Sequence, residues 1–144
     1  MALRITLEPG KKVIINGAVI ENTGGSATLK IHNKANILRG TEVLTEAEAN
    51  TPARRLYHAL QSAYLFEANR GEYLARFEQF VTDYVTAAPS ASEIAAKTLK
   101  SAAAGDYYAA LKAARKFLTH EEERLFAGVN DRGESATGSL RSTT

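Results

Sequence analysis

The chain has 144 residues, is 44% hydrophobic, and carries a formal net charge of +2 from 18 basic and 16 acidic side chains. That length can bury a real core, as one domain or as two small modules packed together. The absence of cysteine excludes disulfides, thiolate metal sites and a cysteine nucleophile. No apolar run approaches the ~20 residues of a membrane span or the core of a signal peptide, so the expected location is the cytoplasm.

Taken in order, Leu3-Arg4-Ile5-Thr6-Leu7 alternates apolar and polar residues. The period of two predicts a half-buried strand with Leu3, Ile5 and Leu7 inward and Arg4 and Thr6 outward. Glu8-Pro9-Gly10-Lys11 reads as a type II turn, proline fixing the first central φ and glycine taking the positive φ of the second. Asn16-Gly17 lies between two β-branched runs, and both residues tolerate the positive φ of a type I′ turn. Lys11–Ile15 and Ala18–Thr23 are therefore predicted to form a tight antiparallel hairpin. Thr23-Gly24-Gly25-Ser26 is the next turn. Ala27–His32 alternates again, with Leu29 and Ile31 on one face and Lys30 and His32 on the other. Asn33-Lys34 turns the chain, and Ala35–Arg39 makes a short last strand. Residues 1–40 thus read as a four- or five-stranded antiparallel sheet, one face of which needs a cover.

The pattern changes near Gly40. Thr45 and Glu48 have the spacing of a capping box. Thr51-Pro52 offers an N-cap followed by proline at the first helical position, predicting a helix from Pro52 to about Glu67 with Leu56, Leu60 and Ala63/Tyr64 along one stripe. Asn69-Arg70-Gly71 interrupts the pattern. A second helix, about Glu72 to Ala87, has the clearest periodicity, through Leu74, Phe77, Phe80/Val81 and Tyr84/Val85. Pro89 stops it. Ser90 and Glu93 offer a second capping box for a helix through Ile94, Thr98, Leu99 and Ala102, which Gly105 closes in a left-handed cap. Asp106 caps a fourth helix through Tyr107/Tyr108, Leu111, Ala114 and Leu118. The expected class is α+β: a small N-terminal antiparallel β-sheet followed by an array of about four α-helices. The expected units are a β module over residues 1–44, a helical module over 45–127, and a disordered tail over 128–144.

Reactive chemistry finds no foothold in the pattern. His32, His58 and His120 have no metal-ligand spacing, and His120-Glu121-Glu122-Glu123-Arg124 has arginine where a zincin helix needs its second histidine. No phosphate-cradling glycine loop and no nucleophile elbow is present. Glu121-Glu122-Glu123 reads as a solvated face. No metal, cofactor or catalytic residue is assigned, and a binding protein is expected rather than an enzyme. Residues 1–40 carry Arg4, Lys11, Lys12, Lys30, Lys34 and Arg39 against Glu8 and Glu21 alone. A basic face of this kind suits nucleic acid, and it is also what a solvated sheet surface carries. Tyr57, Tyr64, Tyr107 and Tyr108 suit an oligomer interface, and helices covering one small sheet leave apolar surface for a homodimer or a protein partner.

The runs Leu7-Glu8-Pro9-Gly10-Lys11-Lys12-Val13-Ile14-Ile15-Asn16-Gly17-Ala18-Val19-Ile20-Glu21-Asn22, Leu29-Lys30-Ile31-His32-Asn33-Lys34-Ala35 and Asn50-Thr51-Pro52-Ala53-Arg54-Arg55-Leu56-Tyr57 closely resemble the FlbT family of flagellin post-transcriptional regulators, over about residues 1–126. The resemblance implies a cytoplasmic regulator of flagellum biogenesis that acts on the 5′ untranslated leader of flagellin messenger RNA. In the best-known lineage such proteins repress translation and promote decay; in others they act positively, and they work alongside the regulator FlaF. The β part also resembles, more loosely, the carbon storage regulator, which places arginines of its first and last strands at an RNA surface. On this reading Arg4, Lys11, Lys12, Lys30, Lys34 and Arg39 contact RNA phosphates, with Arg54 and Arg55 as further candidates. The alternative is a protein-binding adaptor or chaperone for flagellin or FlaF, acting on the message indirectly and using exposed tyrosines such as Tyr107 or Tyr108.

Overall fold

The computed structural model describes residues 3–132, with side chains over residues 3–126. The α+β architecture is as expected: five strands, then four helices. The strands are β1 (Leu3–Leu7), β2 (Lys12–Ile15), β3 (Ala18–Glu21), β4 (Ala27–Ile31) and β5 (Ile37–Arg39). The helices are α1 (Pro52–Leu65), α2 (Arg70–Ala87), α3 (Ser92–Ala103) and α4 (Tyr107–Arg132). Asn16 and Gly17 take φ of 51° and 86°, as a type I′ hairpin requires. Gly10 takes φ of 79°, and the Lys11 amide donates to the Glu8 carbonyl at 3.1 Å, closing the type II turn.

The strands do not form one sheet. β1 pairs with β4 as a two-stranded ladder, and β3-β2-β5 form a three-stranded sheet, all antiparallel. The two stack. Ile5 and Leu7 of the ladder meet Val13 of the sheet, with Leu29, Ile31, Ile15 and Ile37 packed around them. The alternate residues of the sheet, Ile14 and Leu38, enter the helical core beside Leu56, Leu60, Phe77, Leu111 and Phe117. The result is three layers: ladder, sheet, helices. Strands β2 and β5 of the three-stranded sheet are covered on both faces while edge strand β3 is exposed, and the ladder covers one face and leaves its own outer side to solvent. Leu3, expected inward, is 50% exposed because it lies at the ladder's open end.

Helix α1 is held at both ends by distant residues. At its start, the Thr51 hydroxyl accepts from the Arg54 amide at 3.3 Å. The Glu121 carboxylate, from α4, accepts from the Ala53 amide at 3.0 Å. An acid at a helix N-terminus satisfies a free amide and meets the positive end of the dipole. So Glu121 is not part of a solvated face; its neighbours Glu122 and Glu123 are. At the other end, Arg70 Nε donates to the Ala63 carbonyl at 2.8 Å, and its guanidinium lies 4.6 Å over the Tyr107 ring. Arg70 therefore closes α1 and opens α2, which begins two residues before the expected start and contains Gly71.

The Thr45–Glu48 capping box forms, with Thr45 N–H to Glu48 Oε1 at 2.9 Å and Glu48 N–H to Thr45 Oγ1 at 3.2 Å, but it supports a single turn. The second expected box does not form. Ser90 hydrogen-bonds His120 instead, and α3 starts from Ala91 without a side-chain cap. At the end of α3, Gly105 has φ of 80°; its amide donates to Ala102 and that of Asp106 to Ser101, both at 3.0 Å. This is the Schellman arrangement. Asp106 then caps α4 through the Ala109 amide at 3.1 Å. Helix α4 continues to Arg132, past the expected end at residue 127. The rest of the expected tail, 133–144, lies outside the described residues.

Candidate nucleic-acid interface

On the outer side of the ladder, Arg4 stands directly opposite Lys30, and Thr6 opposite Thr28. All four are exposed. The helices cover the far side of the three-stranded sheet, so this face remains open. Like charges directly opposite on antiparallel strands repel and destabilise the pair. Among the described residues the sole ion pair is Arg70–Glu67 at 3.8 Å, so neither cation is neutralised by a neighbouring carboxylate. The arrangement presents two positive charges to solvent.

The other sequence-predicted cations are distributed elsewhere. Lys34 is exposed in the loop between β4 and β5, on the rim of a cleft of about 410 Å³ lined by Leu3, Ile31, His32, Asn33 and Ile37. Lys11 is in the turn before β2. Lys12 pairs across from Glu21. Arg39 ends β5 opposite Val13. Strand alternation puts Lys12 and Arg39 on opposite faces of their sheet. Arg4 and Arg39 thus lie on the first and last strands, as expected, and belong to different sheets. Arg54 donates to Asn50 Oδ1 at 3.0 Å, and Arg55 is exposed on α1. The structure brings Arg4 and Lys30 together; it does not gather all six.

Below the sheet, α1 holds the segment from Asn36 to Leu44 by its side chains. The Tyr64 hydroxyl accepts from the Ile37 amide at 2.9 Å and donates to the Ile37 carbonyl at 3.1 Å. Gln61 does the same for Leu44, with its Oε1 accepting at 2.8 Å and its Nε2 donating at 2.9 Å. The Tyr57 hydroxyl donates to the Glu42 carbonyl at 2.7 Å. Burial, as the leading cause, pushes the hydroxyls of Tyr57 and Tyr64 above the ordinary tyrosine range, keeping them neutral donors.

Glu42 ties this segment to α4. Its Oε1 accepts from the Arg39 amide at 3.0 Å, and its Oε2 from the Tyr108 hydroxyl at 2.6 Å. Tyr108 is pushed up from 10.0 to about 12, first by the hydrogen bond to the Glu42 carboxylate, then by burial. Because the folded state holds that proton more tightly, the contribution is whole below pH 10 and is lost as pH climbs from 10 toward 12. The wild-type protein is expected to lose stability through this window more steeply than Tyr108→Phe. At neutral pH the substitution is expected to cost about 1 kcal/mol, allowing for solvent at a half-buried site. Urea midpoints from neutral pH through that window check both statements; equal alkaline slopes would contradict the assignment.

Tyr107 and Tyr108 are accordingly occupied within the fold, under Arg70 and against Glu42 and the Tyr64 ring, rather than free for a partner. His120 bridges Tyr84, through Nδ1 at 2.8 Å, and Ser90, through Nε2 at 2.8 Å, locking α4 to the end of α2. Among the described residues no three His, Asp or Glu side chains gather as a metal site, and no helix is long and apolar enough to cross a membrane.

The profile of the family described as "Flagellar protein FlbT" matches residues 3–125. The chain belongs to the FlbT family. A probable flagellum biosynthesis repressor protein FlbT of Caulobacter sp. (strain K31) is 35% identical over 127 residues, 87% of this chain and 97% of that protein. One from Bradyrhizobium diazoefficiens is 38% identical over 124 residues, 85% of this chain and 84% of that one. The flagellum biosynthesis repressor protein FlbT of Caulobacter vibrioides (strain ATCC 19089) is 32% identical over 140 residues, 96% and 98% of the two chains. No solved structure matches. The FlbT match runs through the ladder, the Glu42 junction and α4 as far as Leu125, so every residue of the geometry above lies inside it.

One group of cations escaped the sequence reading. Lys112, Arg115 and Lys116 are exposed on α4, and Lys112 Nζ lies 5.0 Å from the centre of the Tyr108 ring. The signal was present: from Tyr107 to Leu118 the chain has three bases and no acid.

Proposed function

We propose that this protein is a cytoplasmic, non-enzymatic regulator of flagellin synthesis that binds the 5′ untranslated leader of flagellin messenger RNA, repressing its translation and promoting its decay. The naming of its relatives as flagellum biosynthesis repressors supports the process. The observation that carries the RNA contact is the Arg4–Lys30 pair, two like charges set directly opposite on the uncovered face of a ladder. Phosphate contacts hold and orient an RNA without reading it. Sequence would then be read from unpaired bases, since the major groove of an RNA duplex is too narrow for side chains. Blocking the ribosome, or opening the message to nucleases, follows from occupancy of the leader.

The deciding experiment is a titration of the purified protein with labelled flagellin leader and a length-matched scrambled RNA at physiological salt. Tighter binding of the leader is the expected result; equal or absent binding overturns the reading. A second reading, an adaptor or chaperone for flagellin or the FlaF regulator, draws on a different feature. Edge strand β3 exposes Val19 at 63% and Ile20 at 39%, and Phe66 beside Gly17 is 43% exposed. A free strand edge with apolar side chains invites another strand, from a partner or from a second copy. Capture of flagellin or FlaF by the protein, abolished by Val19→Lys, is what that reading expects.

A further inference from the structure

We infer that the phosphate-binding surface has a second strip, on α4, formed by Lys112, Arg115 and Lys116 and joined to the sheet at Arg39. The inference deepens the RNA-binding reading and rests on it. Lys112, Arg115 and Lys116 are spaced i, i+3, i+4, which puts them on one face of the helix, and all three are exposed. Tyr108, one turn earlier on the same face, fixes where that face points. Its hydroxyl is bonded to Glu42 Oε2 at 2.6 Å, and Glu42 Oε1 holds the backbone of Arg39 at 3.0 Å. One carboxylate thus fastens the end of β5 to the basic turn of α4. Both its oxygens are already engaged, and it offsets one of the four positive charges. Among the described residues none of the four cations makes an ion pair. A helix packed only for stability gains from acids spaced among its bases; this stretch has none.

The occupant that suits the strip is the backbone of the same RNA. A chain with one charge per nucleotide fits a line of cations along one helical face. Phosphate contacts are indifferent to sequence, so this strip adds affinity to leader and scrambled RNA alike.

The test uses the full chain and both RNAs. Lys112→Glu/Arg115→Glu is expected to weaken both RNAs by a similar factor, on the order of tenfold, and to lower the salt slope by about 1.4, at about 0.7 per single-strand phosphate contact. Because Arg115 lies close enough to the Tyr57 hydroxyl for its charge to act on it, Lys112→Gln/Lys116→Gln serves as a second variant that leaves Arg115 in place. It is expected to weaken binding in the same sense with an unchanged circular dichroism spectrum. Bound leader is also expected to protect Lys112 and Lys116 from acetylation while leaving Lys97 and Lys100, exposed on α3, reactive. Unchanged affinity and salt slope in both variants, with wild-type preference for the leader intact, overturns the strip and leaves the RNA reading standing. Loss of leader preference in the wild type overturns both.

Discussion

Leu38→Ala is expected to destabilise the protein by about 2–5 kcal/mol, the range for removing a buried leucine side chain with partial collapse of the cavity. Leu38 is 1% exposed and comes from the last strand, yet its neighbours are helical. It is one of two sheet residues that enter the helical core; Ile14 is the other. The substitution is therefore expected to shift the urea midpoint seen by helical circular dichroism and by tyrosine fluorescence together. A helical signal that keeps its midpoint would mean that strands and helices fold separately. Leu3→Ala is the internal comparison. It removes an equally large side chain from a half-exposed position, and is expected to cost less than about 0.5 kcal/mol.

Arg4→Glu/Lys30→Glu is expected to weaken leader binding about tenfold or more at physiological salt, and to reduce the salt slope by about 1.4. Stability should hold, because two carboxylates directly opposite repel as the two cations did, so the cross-strand repulsion keeps its size. The single substitution Arg4→Glu is the sharper test. It places a carboxylate opposite Lys30, turning a repulsive pair into an attractive one worth a few tenths of a kcal/mol or more. The variant is therefore expected to be more stable and yet a weaker RNA binder. If stability rises while affinity for the leader stays the same, the ladder face is not where phosphate is held. Melting temperature and a binding titration on the same preparation give both halves of that result.

Four of the local signals were legible outright. Asn16-Gly17, Pro9-Gly10, Thr51-Pro52 and Gly105-Asp106 each specify a turn or cap within a few residues, and each forms as expected. The stripe of Phe77, Val81 and Tyr84 likewise marks the buried face of α2, because its period is carried by the helix itself. What the sequence did not disclose was long-range pairing. Nothing in Leu3–Leu7 marks Ala27–Ile31 as its partner, or places Ile37–Arg39 against β2, so five strands read as one sheet and form two. Ser90 looked like a cap because the spacing to Glu93 was right; His120, 30 residues on, takes its hydroxyl instead. Arg70 looked like an interruption because its acceptor, the Ala63 carbonyl, belongs to the preceding helix. The candidate site divides the same way. Arg4 and Lys30 were legible as outward residues on alternating strands, whereas the link from Arg39 to α4 depends on Glu42 and Tyr108, which are 66 residues apart.

The clasp on α1 orders events during synthesis. The amide of Ala53 leaves the ribosome 68 residues before the carboxylate of Glu121 that caps it. Ile14 and Leu38 emerge earlier still, and they stay uncovered until α1 and α4 arrive. The strands are therefore made first and completed last. A message cut short before codon 107 yields a product without α4, so that Ile14 and Leu38 lose Leu111 and Phe117 from the core beneath them, whereas one cut between codons 107 and 121 still lacks the carboxylate that caps α1.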